Sequence, residues 1–320
     1  MDQARIRPGT VPVEGLSVDG THVPAPVSSY VTAKPDDTTD AGHALPRSVR
    51  RSLAAFRVLI RRPTARLRTT PDFLIVGAQR SGTTSLFRYL AEHPAVGAPV
   101  RKEIQYFTLH YPRGDGWYRT HFPMTGRQRV TFEATPYYLF HPAAPQRAAS
   151  SVPHAKVIAL LRDPVSRTFS QWQHNASRGL EHLGFEAALD AEAGRLAGED
   201  QRLLSDAGYR SDKHRLWSYT ARSQYAEQLE RWLAHYPREQ ILVVRAEDLY
   251  DQPGQTYTRV LRFLDLPPVE LDAYPRHTRR TSTAQMTDAA RQRLTTHFRP
   301  HNDRLAALLG EDVWWVDEGP

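Results

Sequence analysis

The segment from Asp72 to Pro94 constrains the fold of this chain more than any other. It reads DFLIVGAQRSGTTSLFRYLAEHP, an apolar run followed by a turn between two glycines and then by an amphipathic stretch. Gly77 and Gly82 have the spacing of a P-loop, in which backbone N–H groups and the N-terminus of the next helix face an anion. The strand before the turn and the helix after it favour a phosphate-binding loop over an ordinary glycine-containing turn.

One position of this loop departs from the pattern of a nucleotide triphosphatase. Such an enzyme needs a lysine after the second glycine to reach the β- and γ-phosphates. Thr83 occupies that position here, and the cation lies inside the loop as Arg80. The pattern therefore predicts an anion site and argues against a P-loop kinase or ATPase, which stays an alternative.

Composition indicates a globular protein. The 320 residues are 40% apolar, enough for one large α/β domain with an appendage or for two small domains. The chain has no cysteine, which excludes disulfides and thiolate metal sites. No apolar run approaches the roughly 20 residues that span a bilayer, and the N-terminus lacks the apolar segment of a signal peptide. We therefore expect a soluble, cytoplasmic protein.

The positive charge is concentrated near the N-terminus. The formal net charge is +7, but residues 1–71 contain 11 Lys and Arg against 6 Asp and Glu, and residues 72–320 contain 31 against 29. The nearly neutral remainder argues against a nucleic-acid partner. Pro46 to Arg68 contains eight arginines and no acid. This segment is typical of a solvated tail or linker helix, and the alternative is peripheral contact of residues 46–68 with an anionic membrane surface or a partner.

Three regions follow from the pattern along the chain. Residues 1–45 are predicted to be a disordered tail, residues 46–71 a basic linker or a short helix of one or two turns, and residues 72–320 the folded domain. The domain alternates short apolar runs with amphipathic segments, which predicts an α/β fold with a mostly parallel central sheet flanked by helices. Strands are predicted at Phe73–Val76, Val130–Glu133, Lys156–Leu161 and Gln240–Arg245, and helices at Thr83–Glu92, Pro164–Ser177, Ser218–His235, Gly254–Leu264 and Thr287–Leu308. The 3-4 spacing within the third helix predicts a core role for Tyr225, Leu229, Trp232 and Leu233.

A second strand-to-helix junction has the composition of an anion site. Arg162 ends an apolar strand, Pro164 suits the first turn of a helix, and Ser170 lies about two turns further on. A strand-end arginine near a helical serine can hold a phosphate. The alternative is that Arg162 pairs with Asp163 or another carboxylate and that Ser170 faces solvent.

Five sequence blocks resemble the sulfotransferases that use 3′-phosphoadenosine 5′-phosphosulfate (PAPS), especially the branch acting on heparan sulfate. They are VGAQRSGTTSLFRYLAEHP, KEIQYF, FEATPYY, LLRDPVSRTFSQWQH and YAEQLERWLAHYPREQILVVRAEDL, in the family's order within residues 72–316. The resemblance implies a fold related to the nucleotide kinases. It also implies that the first loop holds the 5′-phosphosulfate and that Arg162 and Ser170 hold the 3′-phosphate.

The resemblance assigns the loop cation to the leaving group. Arg80 stands where the family has its loop lysine, and it is expected to stabilise the 5′-phosphate as the sulfuryl group departs. Arginine cannot serve as a proton donor as lysine can. Because the donor has no γ-phosphate, no metal is expected. Further cofactor-binding residues implied by the loop are Ser81, Gly82, Thr83, Thr84 and Ser85.

Two residues are expected to handle the proton of the acceptor. Glu103 matches the family's catalytic glutamate, and the neighbouring Arg101 and Lys102 favour its ionised form. His174 matches a histidine of the N-sulfotransferase branch that aids the base or contacts substrate. The alternatives are a surface glutamate in a charged loop and a structural histidine.

Other matches concern the acceptor and the nucleotide. Glu133 lies where the family has a glutamate that shapes the acceptor site, but the lysine that follows it there is Ala134 here. Acceptor contacts are predicted for Lys102, Glu133, Tyr137 and Tyr138, with Trp117 and Tyr118 as further candidates for an aromatic wall; the alternative is that these aromatics belong to the core. Arg279, Arg280 and Thr281 align with a basic loop that contacts the nucleotide, although the family's flanking cysteine pair is absent, and the alternative is an exposed basic loop.

Together these features predict a bacterial, cytoplasmic enzyme that moves a sulfuryl group from PAPS to a hydroxyl, or less readily an amine. The acceptor class is a glycan, a glycolipid or a secondary metabolite, and its identity is expected to depend on the loops Ala95–Gly126 and Gly179–Arg215. The alternative from another class is a non-catalytic anion- or glycan-binding module on the same fold. Neither the acceptor nor the oligomeric state can be read from the sequence.

Overall fold

Five parallel strands form the central sheet in a computed structural model that describes residues 47–125, 130–277, 285–313 and 315, with side chains from residue 52. The strands are β1 Phe73–Gly77, β2 Val96–Gly97, β3 Val130–Ala134, β4 Lys156–Leu161 and β5 Ile241–Arg245, and their order is β2-β3-β1-β4-β5. Every residue of β1 is buried. A strand buried on both faces is typical of a parallel sheet covered by helices on each side.

Helices account for most of the remaining described residues. They are α1 Arg47–Ile60, α2 Thr83–Glu92, α3 Gly114–Arg119, α4 Ala144–Ser151, α5 Pro164–Ala176, α6 Phe185–Leu196, α7 Glu199–Ser205, α8 Asp212–Leu216, α9 Tyr225–Leu233, α10 Ala246–Asp251, α11 Pro253–Phe263 and α12 Asp288–Leu309. Short 3₁₀ turns occur at Arg62–Leu67, Tyr111–Arg113, Ala221–Ser223 and Arg238–Gln240. The helix α1 is longer than the one or two turns expected for the basic segment.

The two faces of the sheet carry separate apolar clusters. Leu74 and Val76 of β1 pack on one face in a cluster that includes Trp232. Phe73 and Ile75 pack on the other face in a cluster that includes Leu86 of α2. This alternation follows from the period of two in a strand. The prediction that Tyr225, Leu229 and Trp232 belong to the core is confirmed, and Leu233 packs against the same cluster with partial exposure.

The predicted strands and most predicted helices agree with the structure to within one or two residues. The helix expected at Ser218–His235 is wrong over its first seven residues, since α9 begins at Tyr225. The buried carboxylate of Glu192 accepts from the backbone N–H groups of Tyr219, Thr220 and Ala221 at 2.7–2.9 Å. These groups are held by a side chain of α6, and the chain forms a turn there. The short strand β2 was not predicted, and α3, α6, α7 and α8 lie in segments expected to be loops.

The strand order positions the two predicted anion loops. β1 and β4 are hydrogen-bonded neighbours, with Leu74 opposite Val157 and Ile75 opposite Ile158. Both strands are parallel, so the loops that follow Gly77 and Leu161 leave the same edge of the sheet side by side. In open α/β sheets this carboxyl edge is where ligands bind.

Candidate active site

The first loop is tightly packed against the turn that follows β3. A Cβ atom added to Gly77 would lie 2.6 Å from the Cβ of Leu139 and 3.1 Å from the carbonyl oxygen of Pro136, so only glycine fits. Gly82 has a φ of 89° and immediately precedes α2, and Arg80 has a φ of 71°. Left-handed backbone is strained for a residue with a side chain, and such strain is concentrated at functional sites.

A buried hydroxyl in this loop has an unmet hydrogen-bonding capacity. Ser81 is fully buried, and within the described residues its Oγ has no hydrogen-bond partner. A buried polar group without a partner costs free energy. An anionic oxygen bound in the loop would supply the missing acceptor. Thr83 is also buried at the first position of α2, and Thr84 is half-buried.

The two predicted anion loops are in direct contact. Arg80 Nε donates to Ser170 Oγ at 3.2 Å, and Arg162 Nη1 donates to the Arg80 carbonyl oxygen at 3.2 Å. Asp163 accepts instead from the backbone N–H groups of Val165 and Ser166 at 3.2 and 2.9 Å, as the N-cap of α5. Between these two described residues no ion pair joins Arg162 to Asp163. The arrangement brings two arginines and a serine together at one edge of the sheet.

Tyr250 of α10 lies beside this cluster and was not predicted. A Cβ on Gly82 would lie 3.2 Å from the Tyr250 hydroxyl. Burial raises the pKa of the Tyr250 phenol, while the nearby charges of Arg162 and Arg80 act in the opposite direction. The guanidinium of Arg276 lies 4.9 Å from the centroid of the Tyr250 ring. No spacing in the sequence connects this tyrosine with a loop about 170 residues earlier.

The segment before residue 278 passes along α2. The backbone N–H of His277 donates to Ser85 Oγ at 3.2 Å, and the Tyr89 hydroxyl donates to the Pro275 carbonyl oxygen at 3.0 Å. Ser85 is therefore occupied within the protein. Arg279, Arg280 and Thr281, predicted to contact the nucleotide, lie outside the described residues.

The predicted base lies at the same edge of the sheet. Glu103 has a φ of 60°, and its backbone N–H donates to the carbonyl oxygen of Ala134, the last residue of β3, at 3.0 Å. Its carboxylate pairs with Lys102 Nζ at 3.0 Å and keeps a side-chain exposure of 32%. Since β3 is the neighbour of β1, Glu103 leaves the sheet next to the first loop. The carboxylate is accessible and next to a cation, as a base requires.

Glu133 lies beneath this loop and is fully buried. Its Oε1 accepts from the hydroxyls of Thr135 and Tyr138, each at 2.7 Å, and its Oε2 accepts from Tyr118. Burial raises the pKa of Glu133, and these three hydrogen bonds act against that shift. Tyr118 and Tyr138 are fully buried as well, and Trp117 is 9% exposed. The structure thus places Glu133, Tyr118 and Tyr138 in the core that supports the Glu103 loop.

Two predicted site residues remain, His174 of α5 and Tyr137 after β3. His174 is one turn after Ser170 on α5, which places both on one face of that helix. Its Nε2 lies 3.1 Å from Arg178 Nη1, and the ring is largely buried. The Tyr137 hydroxyl lies 2.8 Å from Nδ1 of the buried His214. Tyr137 therefore offers little surface to an acceptor, although it lines the region behind the loop.

Among the described residues, no group of three or more His, Asp or Glu side chains could hold a metal ion. Over the same residues, no helix combines the length and the apolar character needed to cross a bilayer.

Comparison with known proteins gives consistent matches. The sequence profile of the family described as "Sulfotransferase domain" matches residues 70–304. A solved structure of a sulfotransferase from Alicyclobacillus acidocaldarius is 31% identical, with a TM-score of 0.61 over 77% of this chain and 98% of that chain. This likeness confirms the predicted P-loop-like α/β fold.

Curated relatives are longer than this chain. The membrane-associated sulfotransferase kil1 of Dictyostelium discoideum is 28% identical over 77% of this chain and 66% of its own length. The bifunctional heparan sulfate N-deacetylase/N-sulfotransferase 1 of Caenorhabditis elegans is 32% identical over 66% of this chain and 24% of its own length. The chain thus spans just under two thirds of the first protein and about a quarter of the second.

Proposed function

The chain belongs to the sulfotransferase domain family, and on that premise we propose that it is a sulfotransferase that transfers a sulfuryl group from PAPS to a hydroxyl or amine. The observation that carries the proposal is the meeting of two cationic loops at one edge of the sheet. Arg80 and Arg162 lie together with Ser170, and the buried Ser81 hydroxyl lacks a partner among the described residues. A donor with anionic groups at both the 5′ and the 3′ position fits two adjacent cationic loops.

The first loop would bind the 5′ end of the donor. Arg80 and the N-terminus of α2, together with Ser81, Thr83 and Thr84, would stabilise the negative charge that builds on the bridging oxygen. Arg162 and Ser170 would hold the 3′-phosphate. Both loops are attached to buried strands, which keeps the donor groups preorganised.

Glu103 would act as the base. As the acceptor oxygen or nitrogen attacks sulfur, its proton passes to the Glu103 carboxylate, the new bond to sulfur forms, and the bond from sulfur to the 5′-phosphate oxygen breaks. The departing nucleotide is adenosine 3′,5′-bisphosphate. Lys102 Nζ lies 3.0 Å from the carboxylate, and Glu133 with Tyr138 supports the loop from the core. His174, one turn from Ser170, is the second candidate for proton handling.

The acceptor is proposed to be a glycan, a glycolipid or a secondary metabolite. The Caenorhabditis elegans relative is named as a heparan sulfate N-deacetylase/N-sulfotransferase, which supports a sugar acceptor bearing a hydroxyl or an amine. A cytoplasmic location and a bacterial source stay predictions from composition.

Thermal stabilisation by adenosine 3′,5′-bisphosphate tests the donor. At 100 times its Kd this ligand should stabilise the protein by about 2.7 kcal/mol, while AMP and ATP with magnesium should give smaller shifts. Release of the bisphosphate from PAPS is then followed with de-N-sulfated heparin as the amine acceptor and p-nitrophenol as the hydroxyl acceptor. Preference for ATP would support a kinase, and no shift would favour a non-catalytic module.

We also propose peripheral contact of α1 with an anionic membrane surface. Leu53, Phe56, Leu59 and Ile60 are exposed, with Phe56 58% and Ile60 57% exposed, whereas Val58 packs toward the core. At 100° per residue the four exposed side chains share one side of the helix, opposite Val58. Pro46 to Arg68, which includes α1, has eight arginines and no acid, so an apolar stripe next to net positive charge complements anionic lipid. The Dictyostelium relative is named as membrane-associated.

Vesicle sedimentation tests this contact. The wild type should sediment with vesicles of phosphatidylserine and phosphatidylcholine, less with phosphatidylcholine alone, and less at high salt. Combining Leu53→Ser, Phe56→Ser and Ile60→Ser should abolish sedimentation. Leu204→Ser, at an exposed leucine of α7, is the matched control and should have no effect. Binding that is independent of lipid charge, or concentration-dependent dimerisation removed by the triple variant, would contradict the proposal.

A further inference from the structure

Arg222 is a buried arginine directly behind the first loop. It lies in the turn before α9 and is 2% exposed. Its Nη1 donates to Oε1 of Gln79, and its Nη2 donates to the carbonyl oxygens of His214 and Arg215 at 3.0 and 2.8 Å. Its guanidinium lies 5.2 Å from the ring centroid of Tyr137 and 5.0 Å from that of Phe140. One side chain therefore joins the loop, the end of α8 and two aromatic rings.

Within the described part of the chain no carboxylate contacts Arg222, although the charge of Glu192 acts on it from a distance. The Nε of Arg222 has no hydrogen-bond partner among those residues. Burial lowers the pKa of Arg222 to about 9. A buried cation without a counter-ion is costly, and the ring faces and three carbonyl-type oxygens offset only part of that cost. An arginine at this position therefore calls for an explanation other than stability.

The orientation of the Gln79 side chain gives a reason for a buried arginine at this position. An arginine only donates hydrogen bonds, so the contact with Arg222 fixes which end of the Gln79 carboxamide is the oxygen. The Nε2 amino group must then point away from Arg222. No residue in the described ranges accepts a hydrogen bond from it, and Gln79 is half-buried, between Ala78 and Arg80 in the loop.

We infer that Arg222 is a positioning residue, which orients the Gln79 carboxamide so that its N–H groups donate to the sulfuryl oxygens during transfer. This inference rests on the proposed function. Gln79 immediately precedes Arg80, so its amino group leaves the same loop that would surround the reacting sulfur. A donor that is already oriented stabilises charge on the transferred group without reorganisation.

The same contacts connect α7 and α8, which lie largely in a segment expected to determine the acceptor, to the loop. The carbonyl oxygens of His214 and Arg215 lie at the end of α8, and His214 Nδ1 lies 2.8 Å from the Tyr137 hydroxyl. His214 Nε2 lies 2.9 Å from an Asp200 oxygen at the start of α7. A shift of α7 or α8 on acceptor binding would therefore reach Gln79 through Arg222.

Four variants separate positioning from stability. Gln79→Glu keeps an oxygen for Arg222 but removes the N–H donors, and Gln79→Ala removes the whole group. Arg222→Met fills a similar volume without the charge, and Arg222→Lys restores a cation. Arg167→Met is the matched control, because Arg167 is also fully buried in the same region but donates to Gln171, Ser223 and the Tyr219 carbonyl oxygen instead of the loop.

The readouts are stabilisation by adenosine 3′,5′-bisphosphate and the steady-state transfer from PAPS to the better of the two acceptors named above. We expect kcat to fall at least tenfold in Gln79→Glu and in Arg222→Met, with bisphosphate stabilisation close to that of the wild type. Arg222→Lys should recover part of kcat. The Gln79→Ala, Arg222→Met double variant should be no more than about threefold slower than the slower single variant, because both act through one donor. Arg167→Met and Gln79→Ala should combine multiplicatively.

Several results would overturn the inference. The positioning role is excluded if kcat is unchanged in Arg222→Met or in Gln79→Glu. It is also excluded if the losses in kcat multiply in the Gln79→Ala, Arg222→Met double variant. If the wild type is not stabilised by the bisphosphate, the proposed function fails first and the inference fails with it. If the wild type is stabilised and transfers but the variants behave independently, the inference alone fails.

Discussion

Arg80 Nε donates a hydrogen bond to Ser170 Oγ at 3.2 Å, across ninety residues of sequence. The contact joins the loop after β1 to the helix after β4. It exists because β1 and β4 are neighbours in the sheet, so that both loops leave the same edge. The two halves of the proposed donor site are thus held together before any ligand binds, which reduces the ordering cost of binding.

Ser170→Ala should weaken binding of adenosine 3′,5′-bisphosphate by about ten- to a hundredfold, since one hydrogen bond to a charged group is worth about 1.5–3 kcal/mol. Isothermal titration calorimetry measures the change. Ser150→Ala is the control, because Ser150 is an exposed serine of α4 whose Oγ donates only to the Gln146 carbonyl oxygen. Equal affinity in the Ser170 and Ser150 variants would remove Ser170 from the nucleotide site.

Arg80→Ala should lower kcat by about a hundredfold, the usual loss for one preorganised donor at a developing charge. The fall should exceed the loss in bisphosphate affinity, because Arg80 is assigned to charge that grows during transfer. Steady-state transfer from PAPS and calorimetry on the same preparation provide the comparison. Unchanged turnover would show that the displaced cation of the loop is not involved in transfer.

Glu103→Gln should abolish transfer and leave bisphosphate affinity nearly intact. The amide keeps the shape of the side chain but cannot take the proton of the acceptor. Transfer is followed by release of the bisphosphate, with Glu239→Gln, at an exposed glutamate before β5, as control. Turnover in Glu103→Gln comparable to that of the control would exclude Glu103 as the base.

Gly77→Ala should lower the free energy of unfolding by about 1–3 kcal/mol, the usual cost of overpacking a core. The new methyl group would lie 2.6 Å from the Cβ of Leu139, so the loop or the neighbouring turn must move. Gly194→Ala provides the opposite case in the interior of α6, where an added Cβ meets nothing within 4 Å. It should stabilise the protein by up to about 1 kcal/mol. Urea unfolding distinguishes the two, and destabilisation by both would contradict the packing argument.

His121 should make the fold sensitive to acid. It is 1% exposed, its Nδ1 lies 3.1 Å from the Trp117 carbonyl oxygen, and burial, with Arg101 nearby, lowers its pKa to about 4. The unfolded chain takes up this proton first as pH falls below about 6.5. The contribution to stability is therefore fully present above about pH 6.5 and is lost as pH falls toward 4, with a loss on the order of 3 kcal/mol.

Unfolding free energies measured between pH 4 and pH 7 check this sign. In His121→Asn, whose amide can still donate to the same carbonyl oxygen, the free energy of unfolding should change less with pH than in the wild type over this range. His182→Asn, at an exposed position, should keep the wild-type slope. An unchanged slope in His121→Asn would mean that other groups dominate the acid sensitivity.

The sequence by itself determined the local elements of the site. The apolar runs predicted four of the five described strands, and the glycine spacing predicted the turn between β1 and α2, because these depend on residues adjacent in sequence. The pairing of Arg162 with Ser170 as one site could also be predicted from a single strand-to-helix junction. In the structure both contact Arg80.

Local patterns failed where a distant group competes for the backbone. Ser218 to Gln224 was expected to begin a helix, yet three of its N–H groups donate to Glu192 of α6. The surroundings of Glu133 and Tyr138, predicted to contact the acceptor, were not visible in the sequence either: both are fully buried, and Tyr138 donates to the Glu133 carboxylate. Their burial depends on β3 lying inside the sheet, which no short window of sequence reveals.

Only the tertiary structure decided which loops meet and what orients them. The neighbouring positions of β1 and β4 bring Arg80 to Ser170, and the turn before α9 brings Arg222 to Gln79 over 143 residues. The sequence determined the strands and the loop because hydrogen bonding and side-chain periodicity within a segment are local. The partners across the site depend on the order of strands and on close packing, which are set by the burial of the whole chain at once.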